Sequence, residues 1–406
     1  MTVGLDIGTT SVKAVAVDAD GAVVERARLR HPLLVPAPDL LEHDADRAWR
    51  RGPRRALRKV GVDAAAVAVS SMVPSLTAVD GKGRPIAPGL LYGDARGAGP
   101  DGEAAGFLRW LTEAAPDAAG YWPAPAVANR ALGGRAAMDT GTAFSLGLQD
   151  DRLPEVAHIG TPIGHAGDAV LVAGCVDGMC EQLVSGADQV GDVHVICGTT
   201  LITWIVTDAE HHVDGLWTVP HPSPGRWTVG GASNAGGLFQ DWARGLLGRD
   251  KRTVDPARVP VWSPYVRGER TPLHDPDLRA SLRGLDLTHG PAAIERAARE
   301  AAAFVVRHHI DLAGLPVRRI VATGGGTRID GLMQALADGT GLPVHVAAEP
   351  EGAAMGAAYL AAMGIGAVQG FADAAAWART RAVVDPDPLW VEHCNDRYRT
   401  FRAGAP

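Results

Sequence analysis

Three acidic residues stand where a carboxylate could do chemistry. Asp6 lies two residues before Gly8-Thr9-Thr10, inside a segment whose apolar residues alternate at Val3, Leu5 and Ile7. Asp94 and Arg96 follow the apolar run Leu90-Leu91-Tyr92. Asp177 follows the strand-like run Leu171 to Val176 and precedes a helix-like segment from Met179 to Ser185. In α/β folds ligands collect at the carboxyl ends of strands, so Asp177 is placed to take a proton from a reacting hydroxyl. Each acid also has an ordinary reading. Asp177 could cap its helix, Asp94 and Arg96 could form a local ion pair, and Asp6 could pair with Lys13.

The turn after Asp6 has its own chemistry. Glycine lets the backbone approach a ligand, and the N–H groups and hydroxyls of the residues that follow are donors for a phosphate. The same pattern returns in a matching setting: Val193, Val195 and Cys197 alternate into Gly198-Thr199-Thr200, 190 positions after Gly8-Thr9-Thr10. Two such hairpins, each heading one half of the chain, predict a paired phosphate clamp. Asp6 would repel the phosphate unless a cation such as Mg2+ lay between them. A third glycine turn, Gly324-Gly325-Gly326-Thr327, joins a strand at Ile320–Thr323 to a helix over 331–338, an arrangement suited to an anion or nucleotide. The sequence has neither GxGxxG nor GxxxxGK[ST].

These residues need a scaffold, and the chain can supply one. At 406 residues it is long enough for two or three domains. Val67–Val69 and Leu76–Val79 predict strands around a loop containing Met72-Val73-Pro74, and Gly230 to Gly237 predicts a turn into an amphipathic helix through Leu238, Trp242 and Leu246. A long helix is predicted over 291–312, whose adjacent His308 and His309 face different ways and cannot share a metal. Residues 97–165 are rich in Ala, Gly and Pro, with short helices expected near 106–114. A net charge of -7 argues against nucleic acid as partner. No run reaches the roughly 18 to 20 apolar residues of a membrane span, and Met1 enters a strand with no basic leader, so the reading is a cytoplasmic protein. Four cysteines without metal spacing predict buried thiols.

In combination and order, the motifs resemble the FGGY family of carbohydrate kinases, within the actin and sugar-kinase superfamily. Gly4 to Lys13 is similar to that family's first phosphate motif, Gly191 to Thr200 to its second, Tyr265 to Pro272 to a segment of its second domain, and Thr323 to Gly326 to its adenosine motif. The resemblance implies two ribonuclease-H-like (actin-like ATPase) α/β domains with an interdomain nucleotide cleft: a sugar-binding domain over 1–210, a nucleotide-binding domain over 211–365 and a helical tail over 366–406. It implies ATP and Mg2+ as cofactors, with the metal near Asp6, and Asp177 as the general base. Asp94 and Arg96 would contact the sugar or polyol, with Met72 and Val73 bordering it. Gly8, Thr9, Thr10, Gly198, Thr199 and Thr200 would hold the phosphates, and Gly236, Gln240, Gly325, Gly326 and Thr327 the nucleoside. No membrane partner is implied, and a homodimer is left open.

The chain also departs from the pattern. Met72-Val73-Pro74 replaces a Gln-Met-His-like loop of xylulose kinases, and Asp177-Gly178 replaces Asp-Asn, so polar groups are lost from the expected sugar pocket. The stretch 97–165 looks shorter than in typical members. The expectation is a neutral ketose or alditol as acceptor. The rivals are a sugar- or nucleotide-binding regulatory protein of the same fold with lost or weak turnover, and a chaperone-like ATPase.

Overall fold

Both Gly-Thr-Thr turns close a hairpin near the middle of a sheet. The first hairpin pairs Thr2–Ile7 with Ser11–Val17, antiparallel, with Ile7 opposite Val12. Thr2–Ile7 also runs parallel to Ala66–Ser71 on its other side. The full order is Pro162–Ala166, Ala169–Val172, Ala66–Ser71, Thr2–Ile7, Ser11–Val17, Val23–Arg30. The computed structural model describes residues 1–404 except Pro38, Pro224 and 248–251.

Because strand side chains alternate, this sheet feeds two cores. Val3, Leu5, Ile7 and Val12 pack with Trp49 and Ala56. Val15, Val17, Ala66 and Ala68 pack with Met355 and Tyr359 of the helix Gly352–Gly364. Gly4 lies under that helix, where a Cβ would stand 1.8 Å from the Ala354 carbonyl oxygen. Asp6 is two residues on and therefore shares this face, with Lys13 opposite it across the hairpin.

The second hairpin pairs Asp192–Cys197 with Leu201–Thr207 and runs parallel to Arg319–Thr323, repeating the local plan of the first. Its sheet has seven strands, in the order Trp217–Pro220, Trp227–Ser233, Leu201–Thr207, Asp192–Cys197, Arg319–Thr323, Val344–Ala347, Thr380–Val384. The predicted long helix is Pro291–Ala313, and His308 and His309 are buried in it as core histidines.

The chain folds as two units, Met1–Val184 with Glu351–Trp377, and Ser185–Pro350 with Ala378–Pro406. These bounds differ from those expected at 210 and 365. The hairpin at 192–207 cannot belong to the first half, because its strands are hydrogen-bonded into the second sheet. Gly352–Gly364 belongs to the first unit, because its wholly apolar surface is buried against Thr2–Ile7 and Ala66–Ser71. Nor is 366–406 a separate helical tail. Thr380–Val384 is the edge strand of the second sheet, paired antiparallel with Val344–Ala347. Helix Pro388–Ala403 is locked to Pro291–Ala313 by Arg397, whose Nε and Nη2 donate to Glu300 at 2.6 and 2.8 Å.

Candidate active site

In the first unit, an isolated parallel bridge joins Val176 to Ser71, extending the pairing of Ala169–Val172 with Ala66–Ser71. This brings Asp177 to the carboxyl ends of the parallel strands, as the first residue of helix Asp177–Leu183. Its Oδ1 accepts from Gly178 N at 2.7 Å. Burial pushes the Asp177 pKa up to about 7, and the negative charge of Asp6 adds to the effect. A carboxylate with that proton affinity is matched to general-base work near neutral pH.

Asp6 Oδ2 accepts from Lys13 Nζ at 3.0 Å, and its Oδ1 from the Ser70 hydroxyl at 3.3 Å. The ion pair raises the Lys13 pKa, the charge of Asp6 being the largest cause. Ser70 is opposite Asp6 in the parallel register, so three strands converge on one carboxylate. Asp6 and Asp177 repel one another, and a divalent cation would relieve that repulsion. Among the described residues no three His, Cys, Asp or Glu side chains gather to hold an ion by themselves. That donor set fits Mg2+, which binds one or two carboxylates and completes its shell with phosphate and water oxygens.

The two phosphate-type turns have an informative geometry. Gly8 and Gly198 do not have positive φ. A Cβ on Gly8 would find its nearest neighbour, the Ser11 carbonyl oxygen, at 3.5 Å, and one on Gly198 the Thr200 carbonyl oxygen at 3.4 Å. Neither backbone conformation nor packing therefore demands glycine, and the space a Cβ would fill is open to a ligand. Thr10 and Thr199 are exposed. Thr9 is held from behind: its carbonyl oxygen accepts from His43 Nε2 at 2.8 Å, and its hydroxyl is 2.8 Å from the Tyr92 hydroxyl.

Asp94 and Arg96 form a closed cluster. Asp94 is buried and caps the short turn of helix Ala95–Gly97, accepting from Arg96 N at 2.8 Å, from Arg96 Nε and Nη2 at 2.8 and 2.7 Å, and from Leu41 N at 2.5 Å. Arg96 Nη2 also meets Glu42 Oε2 at 2.8 Å, and its guanidinium lies over Trp110. The expected pair is present, but the Asp94 carboxylate is committed to protein donors rather than turned to an acceptor sugar. Met72 is buried and Val73 half-buried.

In the second unit, Gly236 is a packing glycine: its Cβ would come within 2.3 Å of the Thr200 backbone. The close approach lets Gly237 N and Leu238 N, at the start of helix Gly237–Leu246, donate to the carbonyls of Gly198 and Thr199 at 2.8 and 3.2 Å. The helix thereby pins the second phosphate turn. Gln240 is turned into the fold. It is buried, with Nε2 donating to Ala298 O and Oε1 accepting from Arg299 Nη1, both at 2.8 Å. Gly325 has nothing within 4 Å of a Cβ position, whereas Gly326 packs on Cys197. Thr327 is buried and its hydroxyl donates to Gly324 O at 2.8 Å, shaping the turn.

The sequence reading missed His43, Glu42 and Tyr92. Glu42 and His43 sit in a two-residue strand, too short for any periodic signal, and Tyr92 was read only as part of an apolar run.

Two sheets built on repeated hairpins, each with an open glycine turn at its tip, define the two-domain actin-like ATPase fold of sugar kinases. Profile matches agree over about two thirds of the chain: the N-terminal domain of the FGGY family of carbohydrate kinases over residues 1–100 and its C-terminal domain over 193–365. The chain belongs to the FGGY family of carbohydrate kinases. It is 24% identical to a gluconokinase of Bacillus subtilis, over 91% of this chain and 88% of that one. It is 27% identical to a xylulose kinase of Streptomyces rubiginosus, over 89% and 87%. The crystal structure of xylulose kinase from Rhodospirillum rubrum superposes with a TM-score of 0.82 at 24% identity, covering 99% of this chain and 97% of that one.

Proposed function

We propose that the protein transfers the γ-phosphoryl group of ATP to a hydroxyl of a neutral ketose or alditol, with Asp177 as general base. The acceptor oxygen attacks the γ-phosphorus, the bond to the β,γ-bridging oxygen breaks, ADP leaves with the electron pair, and the acceptor proton passes to Asp177. Such a transfer asks the protein mainly for positioning and charge stabilisation. Gly8 to Thr10 and Gly198 to Thr200 supply backbone and hydroxyl donors for the phosphates, with Gly325 open beside its own turn. Asp6, together with phosphate oxygens, would hold Mg2+, which would supply neutralisation of the charge on the transferring group. The observation that carries the reading is Asp177 at the strand ends, close enough to Asp6 for that charge to raise its proton affinity. An intact base next to Asp6 also speaks against a regulatory chain without turnover.

The names of the relatives point to an aldonate in one case and a ketose in another, so kinship does not choose the acceptor. Charge does. Arg96 is shared by Asp94 and Glu42, leaving that cluster with a net negative charge and no free cation for an acceptor carboxylate. Asp6 is paired with Lys13, and the charges of Asp6 and Glu181 both act against an ionised Asp177. Met72 and Val73 add no cation. A screen of ADP release against pentuloses, hexuloses, alditols and aldonates tests this: neutral acceptors should give the higher kcat/KM. A higher value for an aldonate than for every neutral sugar would overturn the acceptor class, and absence of transfer to any of them would overturn the kinase reading.

A further inference from the structure

The first phosphate turn is held by groups that no motif includes. His43 has its two ring nitrogens committed in opposite senses: Trp49 Nε1–H donates to Nδ1 at 2.9 Å, so Nδ1 carries no proton, and Nε2–H donates to the Thr9 carbonyl at 2.8 Å. Burial, and then the charge of neighbouring His31, push the His43 pKa down to about 4, which keeps the ring in this neutral form. The Tyr92 hydroxyl reaches the Thr9 hydroxyl at 2.8 Å, while Tyr92 N donates to Pro74 O at 3.1 Å. Within the turn itself, Gly8 N donates to Ser11 O at 3.1 Å. The Thr9 carbonyl and hydroxyl are thus both held by residues outside the hairpin.

The same short strand reaches the other cluster. Successive strand residues point to opposite sides, and Glu42 and His43 do so: Glu42 meets Arg96 at 2.8 Å, and His43 meets Thr9. Glu42 pairs with Leu90 and His43 with Gly89, the strand that leads into Tyr92 and Asp94, and Leu41 N donates to Asp94.

We propose that His43 and Tyr92 are positioning residues that preorganise the first Gly-Thr-Thr turn for nucleotide phosphate, and that the strand Glu42–His43 mounts this turn and the Asp94–Arg96 cluster on one support. A turn fixed before the ligand arrives has less ordering to do on binding and at the transition state. The proposal rests on the phosphotransfer reading, but ATP affinity tests it without turnover.

The experiment compares His43→Leu, His43→Gln and Tyr92→Phe with the wild-type chain, measuring ATP binding by calorimetry, kcat and KM for ATP, and the melting temperature. Glutamine offers an amide N–H donor and a carbonyl acceptor and so can supply both functions of the neutral imidazole, whereas leucine offers neither. His43→Leu should weaken ATP binding or kcat/KM for ATP about tenfold, the scale of one hydrogen bond, with His43→Gln within about threefold of wild type and Tyr92→Phe lower by a few-fold. Folded His43→Leu with wild-type affinity and kinetics, at whatever melting temperature, would overturn the proposal; so would His43→Gln as impaired as His43→Leu. If His43→Leu does not fold, Tyr92→Phe decides, since it removes a single hydroxyl: unchanged ATP affinity and kcat/KM would refute the brace. A wild-type chain that binds ATP without transferring phosphate would count against the kinase reading alone.

Discussion

Asp177→Asn should make the protein more stable and much less active, and the stability gain should depend on pH. Folding raises the Asp177 pKa from 3.8 to about 7, through burial first and the charge of Asp6 second. Between those values the folded chain keeps a proton that the unfolded chain has released, so stability falls as pH rises. Below about pH 4 both states are protonated and the penalty vanishes; above about pH 7 both are ionised and it stays constant. At about 1.36 kcal/mol per tenfold, the whole interval corresponds to roughly 4 kcal/mol, and partial solvent contact brings the expectation to on the order of 2 kcal/mol. The amide keeps an acceptor for Gly178 N and has no charge to desolvate. For a unit of about 200 residues this is a rise of roughly 4–8 °C in melting temperature. Calorimetric melts without nucleotide or metal, from about pH 5 to about pH 8, should show the gap between variant and wild type widening up to about pH 7. At the same time kcat should drop by about two to four orders of magnitude. A gap that does not change with pH, or a wild type more stable than the variant at about pH 8, would refute the placement of a charged, desolvated Asp177. A kcat within a few-fold of wild type would remove it from the chemistry.

Gly198→Val should fold, since the nearest atom to its Cβ is at 3.4 Å, yet weaken ATP binding at least about tenfold by filling the open side of the turn; unchanged affinity in calorimetric titration would reject that use of the space. Gln240→Ala should cost about 1–3 kcal/mol of stability, because Arg299 and the Ala298 carbonyl lose buried partners, while ATP affinity of the folded protein stays within a few-fold. Lost affinity at an unchanged melting temperature would restore Gln240 to the nucleotide site.

The hairpins were legible because their strands alternate and their turns carry glycine, two local signals that agree. The ownership of Gly352–Gly364 was not. That helix is apolar on every side, so it has no amphipathic stripe to say which sheet it covers, and only the tertiary fit of Ala354 over Gly4 assigns it to the first unit. The final strand was hidden for a related reason. Thr380–Val384 is an edge strand with mostly exposed residues, and its pairing to Val344–Ala347 comes from a partner more than thirty residues away.

At the site, sequence pattern located groups but could not tell a residue that faces a ligand from one that holds such a residue in place. Asp94 and Arg96 were recognised as a pair, yet the pair is completed by Glu42 and by Leu41 N, which come from a segment with no periodicity. Gly236 and Gly198 are the same residue type in neighbouring motifs. One is glycine because the Thr200 backbone leaves no space for a Cβ, and the other has space that the protein leaves empty. The same division separates Gln240, whose polar atoms are both spent on Ala298 and Arg299, from Asp177, whose Oδ1 takes one backbone donor and whose charge is opposed by Asp6 rather than paired. Groups already satisfied by the protein stabilise it; a carboxylate left with a repulsive neighbour costs stability and gains proton affinity. Our proposal of Asp177 as the acid–base group therefore rests less on its motif than on its burial at the end of a strand beside the like charge of Asp6.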